Sequence, residues 1–126
     1  MEENRKVILV VDDSSANLQL CKGLLSGEYD VRLAKSGKMA LAALARVRPD
    51  VILLDIEMPD MTGFEVMGEI KENLELKNIP VIFVTSHASE KLIDKAVGNG
   101  AADYLVKPFV SDLLLSKISN VLQTVS

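Results

Sequence analysis

The chain has no tryptophan and one cysteine, Cys21, so no internal disulfide can hold it together and its fold must rest on packing. That usage fits a reducing compartment. Positive charge is also scarce: 14 Lys and Arg stand against 18 Asp and Glu, for a net charge of −4. The cations are scattered, which argues against a nucleic-acid surface built to hold phosphate backbones. No apolar run approaches the ~18 residues needed to span a bilayer, and the opening Met1-Glu-Glu-Asn-Arg-Lys6 lacks a signal-peptide pattern, so no membrane insertion and a cytoplasmic location are expected. Linkers, low-complexity stretches and internal repeats are missing as well. What remains is 126 residues of ordinary globular composition, 48% apolar and 25% charged, which read as a single domain over residues 1–126.

Short β-branched runs alternate with longer helical patterns from end to end. Strands are expected at residues 6–11, 30–34, 50–55, 79–84 and 102–106, and helices near 14–26, 37–47, 63–75, 89–98 and 110–124. Five strand-helix units in succession predict an α/β fold: a doubly wound five-stranded parallel sheet with helices on both faces. Apolar stripes mark the helices, with Leu41, Leu44 and Val47 in the second, Met67, Ile70 and Leu74 in the third, and Leu92, Ile93, Ala96 and Val97 in the fourth. Gly27, Pro49, Asn78, Pro80 and Gly98-Asn99-Gly100 supply the turns. Cys21 is in step with Leu18, Leu24 and Leu25, which makes it a small buried hydrophobe. In the last helix Leu114, Ile118, Val121, Leu122 and Val125 form the core stripe. The run Leu113-Leu114-Leu115 then leaves Leu113 or Leu115 partly exposed, on a deeply packed helix or on a partner-docking surface.

The chemistry gathers at strand ends. Val51-Ile-Leu-Leu-Asp55 is an apolar strand closed by a carboxylate and followed at once by Met58-Pro59 and Gly63. Such a strand presents its last side chain at the sheet's carboxyl edge, where open α/β folds place their sites. The first strand runs into Asp12-Asp13, and the last into Lys107-Pro108-Phe109. A helix cap would account for one of the two acids, but not for the pair together with Asp55 and Lys107. Clustered carboxylates raise each other's pKa unless a cation intervenes, and an all-oxygen set suits Mg²⁺. With a metal and a fixed ammonium to offset charge, a carboxylate can attack phosphorus and form an acyl phosphate. Thr85 or Ser86, at the end of the fourth strand, could donate a hydrogen bond to the same group.

Four fragments carry a resemblance: Val10-Val11-Asp12-Asp13, Asp55-Ile-Glu-Met-Pro-Asp-Met-Thr-Gly63, Val84-Thr85-Ser86 and Gly100-Ala-Ala-Asp-Tyr-Leu-Val-Lys-Pro-Phe109. In this order, each at a strand end, they resemble the receiver domain of bacterial two-component response regulators, of the chemotaxis-regulator kind, over nearly the whole chain. The resemblance implies a flavodoxin-like (βα)5 fold with Asp55 as phosphoacceptor, Asp12 and Asp13 as the acidic pocket, and Mg²⁺ held by Asp13, Asp55 and the backbone carbonyl of Glu57. It implies that Lys107 pairs with the phosphoryl group and is joined to Pro108 by a cis bond, that Thr85 and Tyr104 are the switch pair, and that Glu57 and His87 tune the lifetime of the phosphate. His87 is not the phosphorylated histidine of a relay, since nothing here resembles such a helical domain. The implied partners are a sensor histidine kinase or histidine phosphotransfer protein, and an effector protein or domain or a second copy of the chain. They would be engaged through the fourth helix, fifth strand and fifth helix. On this reading the chain is no enzyme beyond catalysing its own phosphorylation and dephosphorylation.

Two other classes share parts of the pattern. A phosphatase of the haloacid dehalogenase type also uses an aspartate at a strand end with Mg²⁺, but it resembles Asp-x-Asp where this chain has Glu57, and its capping insertion is missing. A flavodoxin-like cofactor binder would need a Ser/Thr/Gly-rich phosphate loop after the first strand, where Asp12-Asp13 would repel phosphate. A pseudo-receiver that is never phosphorylated and acts by protein contact is the remaining alternative.

Overall fold

A computed structural model describes residues 5–87 and 89–124. Strands and helices alternate: β1 Val7–Val11, α1 Ser15–Leu25, β2 Asp30–Ala34, α2 Gly37–Leu44, β3 Val51–Asp55, α3 Gly63–Lys71, β4 Val81–Thr85, α4 Glu90–Gly98, β5 Asp103–Val106 and α5 Ser111–Thr124. The strands form one parallel sheet in the order β2-β1-β3-β4-β5. This is the doubly wound, flavodoxin-like arrangement expected from the alternation. The chain leaves β1 toward one edge and β3 toward the other, which opens a crevice beyond their carboxyl ends.

Side-chain alternation along the strands builds two cores. Ile8 and Val10 of β1, Leu53 of β3 and Val84 of β4 face α1 and α5, with Cys21 fully buried among them beside Leu18 and Leu25. Leu9, Val11, Leu54 and Phe83 point the other way, against α2, α3 and α4. β3 and β4 are buried at every position, as strands covered on both faces must be. The helices begin where short polar side chains precede them. Ser14, Ser36, Thr62 and Ser89 each accept an amide from the first turn, and Thr62 and Glu65 complete a reciprocal capping box.

The structure departs from the sequence reading mainly at helix ends. α2 stops at Leu44 rather than 47, because the Ala45 amide bonds to both the Leu41 and Ala42 carbonyls and tightens the last turn. α3 stops at Lys71 rather than 75. There the Asn73 side chain accepts from the Glu75 amide at 2.8 Å and turns the chain, which leaves Leu74 80% exposed while Leu76 and Ile79 fill the core. The stripe assigned to α4 is thinner than its spacing implies: Ala96 alone is buried, Leu92 and Ile93 are half-buried, and Val97 is 66% exposed. β1 begins at Val7 and β4 runs 81–85, since Pro80 has no N–H to give a ladder. In α5, Leu114, Ile118 and Val121 are buried, Leu122 is half-buried, and Leu113 rather than Leu115 is the exposed leucine. Val125 and the N-terminal residues 1–4 lie outside the described residues.

Candidate functional site

Register decides what meets at the carboxyl edge. Val11 pairs with Leu54, Asp55 with Val84 and Thr85 with Val106, so Asp12, Asp55, Thr85 and Lys107 end their strands at one level. Asp12, Asp55 and Thr85 are the buried polar residues of the described chain, at 2%, 3% and 2% exposure. Asp13 projects into solvent, yet carboxylate oxygens of Asp12, Asp13 and Asp55 all lie within 4.8 Å of one another.

One cation answers this charge. The Lys107 ammonium lies 2.9 Å from Asp12 Oδ2 and 3.3 Å from Asp55 Oδ2, and its side chain is 15% exposed. The Lys107 amide donates to the Thr85 carbonyl at 2.8 Å, and its bond to Pro108 is cis. Burial and the neighbouring Asp12 charge push the Asp55 carboxyl up to about 7 against the pull of Lys107. Burial alone would push the Lys107 ammonium down, but its hydrogen bond to Asp12 and the charges of both carboxylates hold it above its usual value.

Second contacts fix the pocket. Asp12 Oδ1 accepts from the Ser14 amide at 2.9 Å, and Oδ2 from the Asn17 side chain at 3.4 Å. Neither acid of the pair is the α1 cap; Ser14 is. Asp55 Oδ1 accepts from the Glu57 amide at 3.4 Å. Behind Asp55, a Cβ on Gly63 would lie 2.5 Å from the Asp55 carbonyl and 2.9 Å from Ile56 Cα, so only glycine lets α3 start this close to the strand. The Gly63 amide donates to the Ile56 carbonyl at 2.7 Å.

The remaining residues named from sequence sit around this centre. The Thr85 hydroxyl donates to the His87 carbonyl at 3.2 Å and accepts the His87 amide at 3.0 Å, so it is engaged within its own loop. Ser86 is exposed in the same loop. Exposed His87 and Glu57 face each other, Nε2 to Oε1 at 4.0 Å. Tyr104, on β5, is half-buried, with the Lys117 ammonium 4.8 Å from its ring centroid while that ammonium bonds Asp103 at 2.9 Å. Asn17 and Asp60 escaped the sequence reading. Asn17 is an ordinary first-turn residue whose amide happens to reach back to Asp12, and Asp60 is a loop residue whose partners lie on α2, distant in sequence.

A buried carboxylate beside a fixed ammonium, with two more acids within reach, can hold a hard cation and offer one oxygen to an electrophile. Residues 8–119 match the response regulator receiver domain. Among proteins similar to the chain, a probable cyclic di-GMP phosphodiesterase of Vibrio cholerae is 41% identical over 116 residues, 92% of this chain and 26% of that protein. The response regulator PleD of Caulobacter vibrioides is 38% identical over 115 residues, 90% of this chain and 25% of that protein. The chain thus spans about a quarter of the length of these relatives. Among solved structures, the chemotaxis response regulator CheY4 of Vibrio cholerae superposes with a TM-score of 0.88 at 34% identity, covering 94% of this chain and 99% of that one. These matches favour neither the phosphatase nor the pseudo-receiver alternative. No helix among the described residues is long and apolar enough to cross a membrane.

Proposed function

Since the chain belongs to the response regulator receiver domain family, we propose that Asp55 accepts a phosphoryl group from the phosphohistidine of a sensor kinase or histidine phosphotransfer protein. The observation that carries this reading is the clustering of Asp12, Asp13 and Asp55, with the half-buried Lys107 ammonium bonded to Asp12 and Asp55. An oxygen of Asp55 attacks phosphorus, the bond from phosphorus to the donor imidazole nitrogen breaks, and that nitrogen leaves with the electron pair and takes up a proton. Lys107 holds positive charge beside the oxygen that reacts. Asp12 orients that ammonium, with Ser14 and Asn17 orienting Asp12 in turn.

The donor set fits a divalent cation: oxygen ligands only, at an acidic edge that carries more carboxylates than ammonium groups. Asp13, Asp55 and the Glu57 backbone carbonyl would hold Mg²⁺, with Asp12 supporting them, and the ion when bound supplies charge to offset the phosphoryl oxygens. Thr85 then turns its hydroxyl proton from the His87 carbonyl to a new phosphoryl oxygen and leaves the His87 amide, and Tyr104 follows into the space the loop vacates. Both moves shift population toward a state in which α4, β5 and α5 present an effector-binding or self-associating surface. Glu57 and His87 face each other at the mouth and set how readily water reaches the acyl phosphate. The reading implies that residues 1–126 fold as one receiver unit in the cytoplasm and turn over no separate substrate.

Intact mass after incubation with acetyl phosphate tests it. A labile gain of one phosphoryl group is expected, dependent on Mg²⁺ and lost in Asp55→Asn. No gain in a sample shown to bind Mg²⁺ would overturn the phosphoacceptor reading.

A further inference from the structure

The loop that follows Asp55 is tied to a helix that contributes nothing to the carboxylate cluster. Asp60 Oδ1 accepts from the Gly37 amide at 3.2 Å and Oδ2 from the Lys38 amide at 3.0 Å. Ser36 Oγ takes the Met39 amide at 3.1 Å. The first three amides of α2, which have no partner inside the helix, are therefore all satisfied, two of them by a residue from the loop that follows β3. An acid is well placed at that positive end, and the Lys38 amide is the foremost cause holding the Asp60 carboxyl below its usual range.

Packing reinforces the tie. A Cβ on Gly37 would lie 2.8 Å from Met61 Cβ and 3.0 Å from Val66 Cγ2, so the loop sits directly on the first residue of α2. At its inner end the same loop is fixed by the Ile56 amide, which donates to the Val84 carbonyl at 3.0 Å, and by burial of Met58. Glu57 lies between the two inner anchors, three residues before Asp60. The segment that carries the acceptor and its neighbouring carbonyl is thus held from both ends, one of them by a carboxylate with no chemistry of its own to perform.

We propose that Asp60 is a positioning residue of this site: by clamping the loop after Asp55 onto the first turn of α2, it favours the loop conformation that receives the divalent cation and couples occupancy of the site to α2. The proposal rests on the phosphoacceptor reading for its kinetic consequence alone. Coupling of this kind is reciprocal, so whatever factor the clamp adds to metal affinity, the metal adds to the clamp.

The test compares the native chain with Asp60→Ala and with Asp60→Asn, which keeps one acceptor oxygen. Mg²⁺ affinity is read by calorimetry, amide hydrogen exchange at Gly37 and Lys38 by NMR with and without Mg²⁺, and phosphoryl uptake from acetyl phosphate by mass, with thermal midpoints recorded alongside. Asp60→Ala is expected to weaken Mg²⁺ binding three- to ten-fold and slow uptake at fixed sub-saturating Mg²⁺ by a similar factor, with Asp60→Asn between it and the native chain. In the native chain Mg²⁺ should slow exchange of both amides. Equal Mg²⁺ affinity in all three proteins, or amides indifferent to Mg²⁺, would overturn the proposal whatever happens to the midpoints. A native chain that binds Mg²⁺, protects both amides and takes no phosphoryl group would leave the clamp standing and remove the phosphoacceptor reading instead.

Discussion

Lys107 Nζ and Asp55 Oδ2 lie 3.3 Å apart although 52 positions separate them in the chain. The contact exists because β5 and β3 flank β4 in register and both end at its level. Lys107 also bonds Asp12, so a single ammonium serves two buried carboxylates and the pocket is short of positive charge.

That shortage gives the metal-free protein an unusual pH response. Asp55 keeps its proton to about pH 7 in the folded state, whereas the unfolded chain releases it near the ordinary 3.8. Between those values the folded state holds more protons, so the favourable contribution present at low pH is lost as pH rises toward 7, on the order of 2–4 kcal/mol. Urea midpoints without metal should fall between pH 4.5 and 7.5 relative to Asp55→Asn. Added Mg²⁺ should restore more of that loss at the higher pH, and parallel pH profiles for the two proteins would contradict this.

Removing the ammonium separates charge support from metal binding. Lys107→Met should slow phosphoryl uptake by about 100-fold, the scale of losing one charged stabiliser of a transition state. It should leave Mg²⁺ binding no weaker, since it makes the pocket more negative. A loss of Mg²⁺ affinity matching the loss of rate would show that Lys107 acts by holding the fold of the pocket.

Among the described residues the hydroxyl of Thr85 has two partners, both on His87. Phosphorylation of the native chain should therefore shift the His87 amide resonance as that acceptor leaves. Thr85→Ala should still take a phosphoryl group on Asp55, with the His87 amide no longer responding. An amide unchanged by phosphorylation in the native chain would show that Thr85 does not exchange partners.

Two glycines should respond in opposite ways to the same substitution. At Gly63 a Cβ meets the Asp55 carbonyl at 2.5 Å, so Gly63→Ala should cost about 3 kcal/mol and slow uptake through displacement of Asp55. Gly68 lies within α3 with nothing within 4 Å of its Cβ position, so Gly68→Ala should stabilise by about 0.5–1 kcal/mol. Urea midpoints decide both.

The site was easier to read than the helices that surround it. Asp55 stood out because a wholly apolar strand ended in a charge before a Pro/Gly turn, a pattern that leaves the carboxylate one place to go. Lys107 and Asp12-Asp13 followed by the same logic. The ends of α2 and α3 did not, because Leu74 and Val47 fit a helical period that local hydrogen bonds at Ala45 and Asn73 cut short. α4 misled for a related reason: periodicity reports which residues share a face, not how closely that face approaches the sheet. Contacts such as Asp60 with Gly37 and Lys38, or Asn17 with Asp12, join positions by geometry that no local pattern encodes.

α4 buries one alanine, and beyond it half-buried Leu92 and the Lys95 ammonium 4.5 Å from the Phe64 ring centroid help hold it down. Displacing it would uncover the Ala96 methyl and the covered parts of Leu92 and Ile93, on the order of a few kcal/mol of transfer free energy, plus one exposed cation–π contact. The helix is therefore a light arm on a heavy base: β3 and β4 are locked between two cores, and on the proposed reading a few new hydrogen bonds at the sheet's edge would be enough to tip where that arm rests.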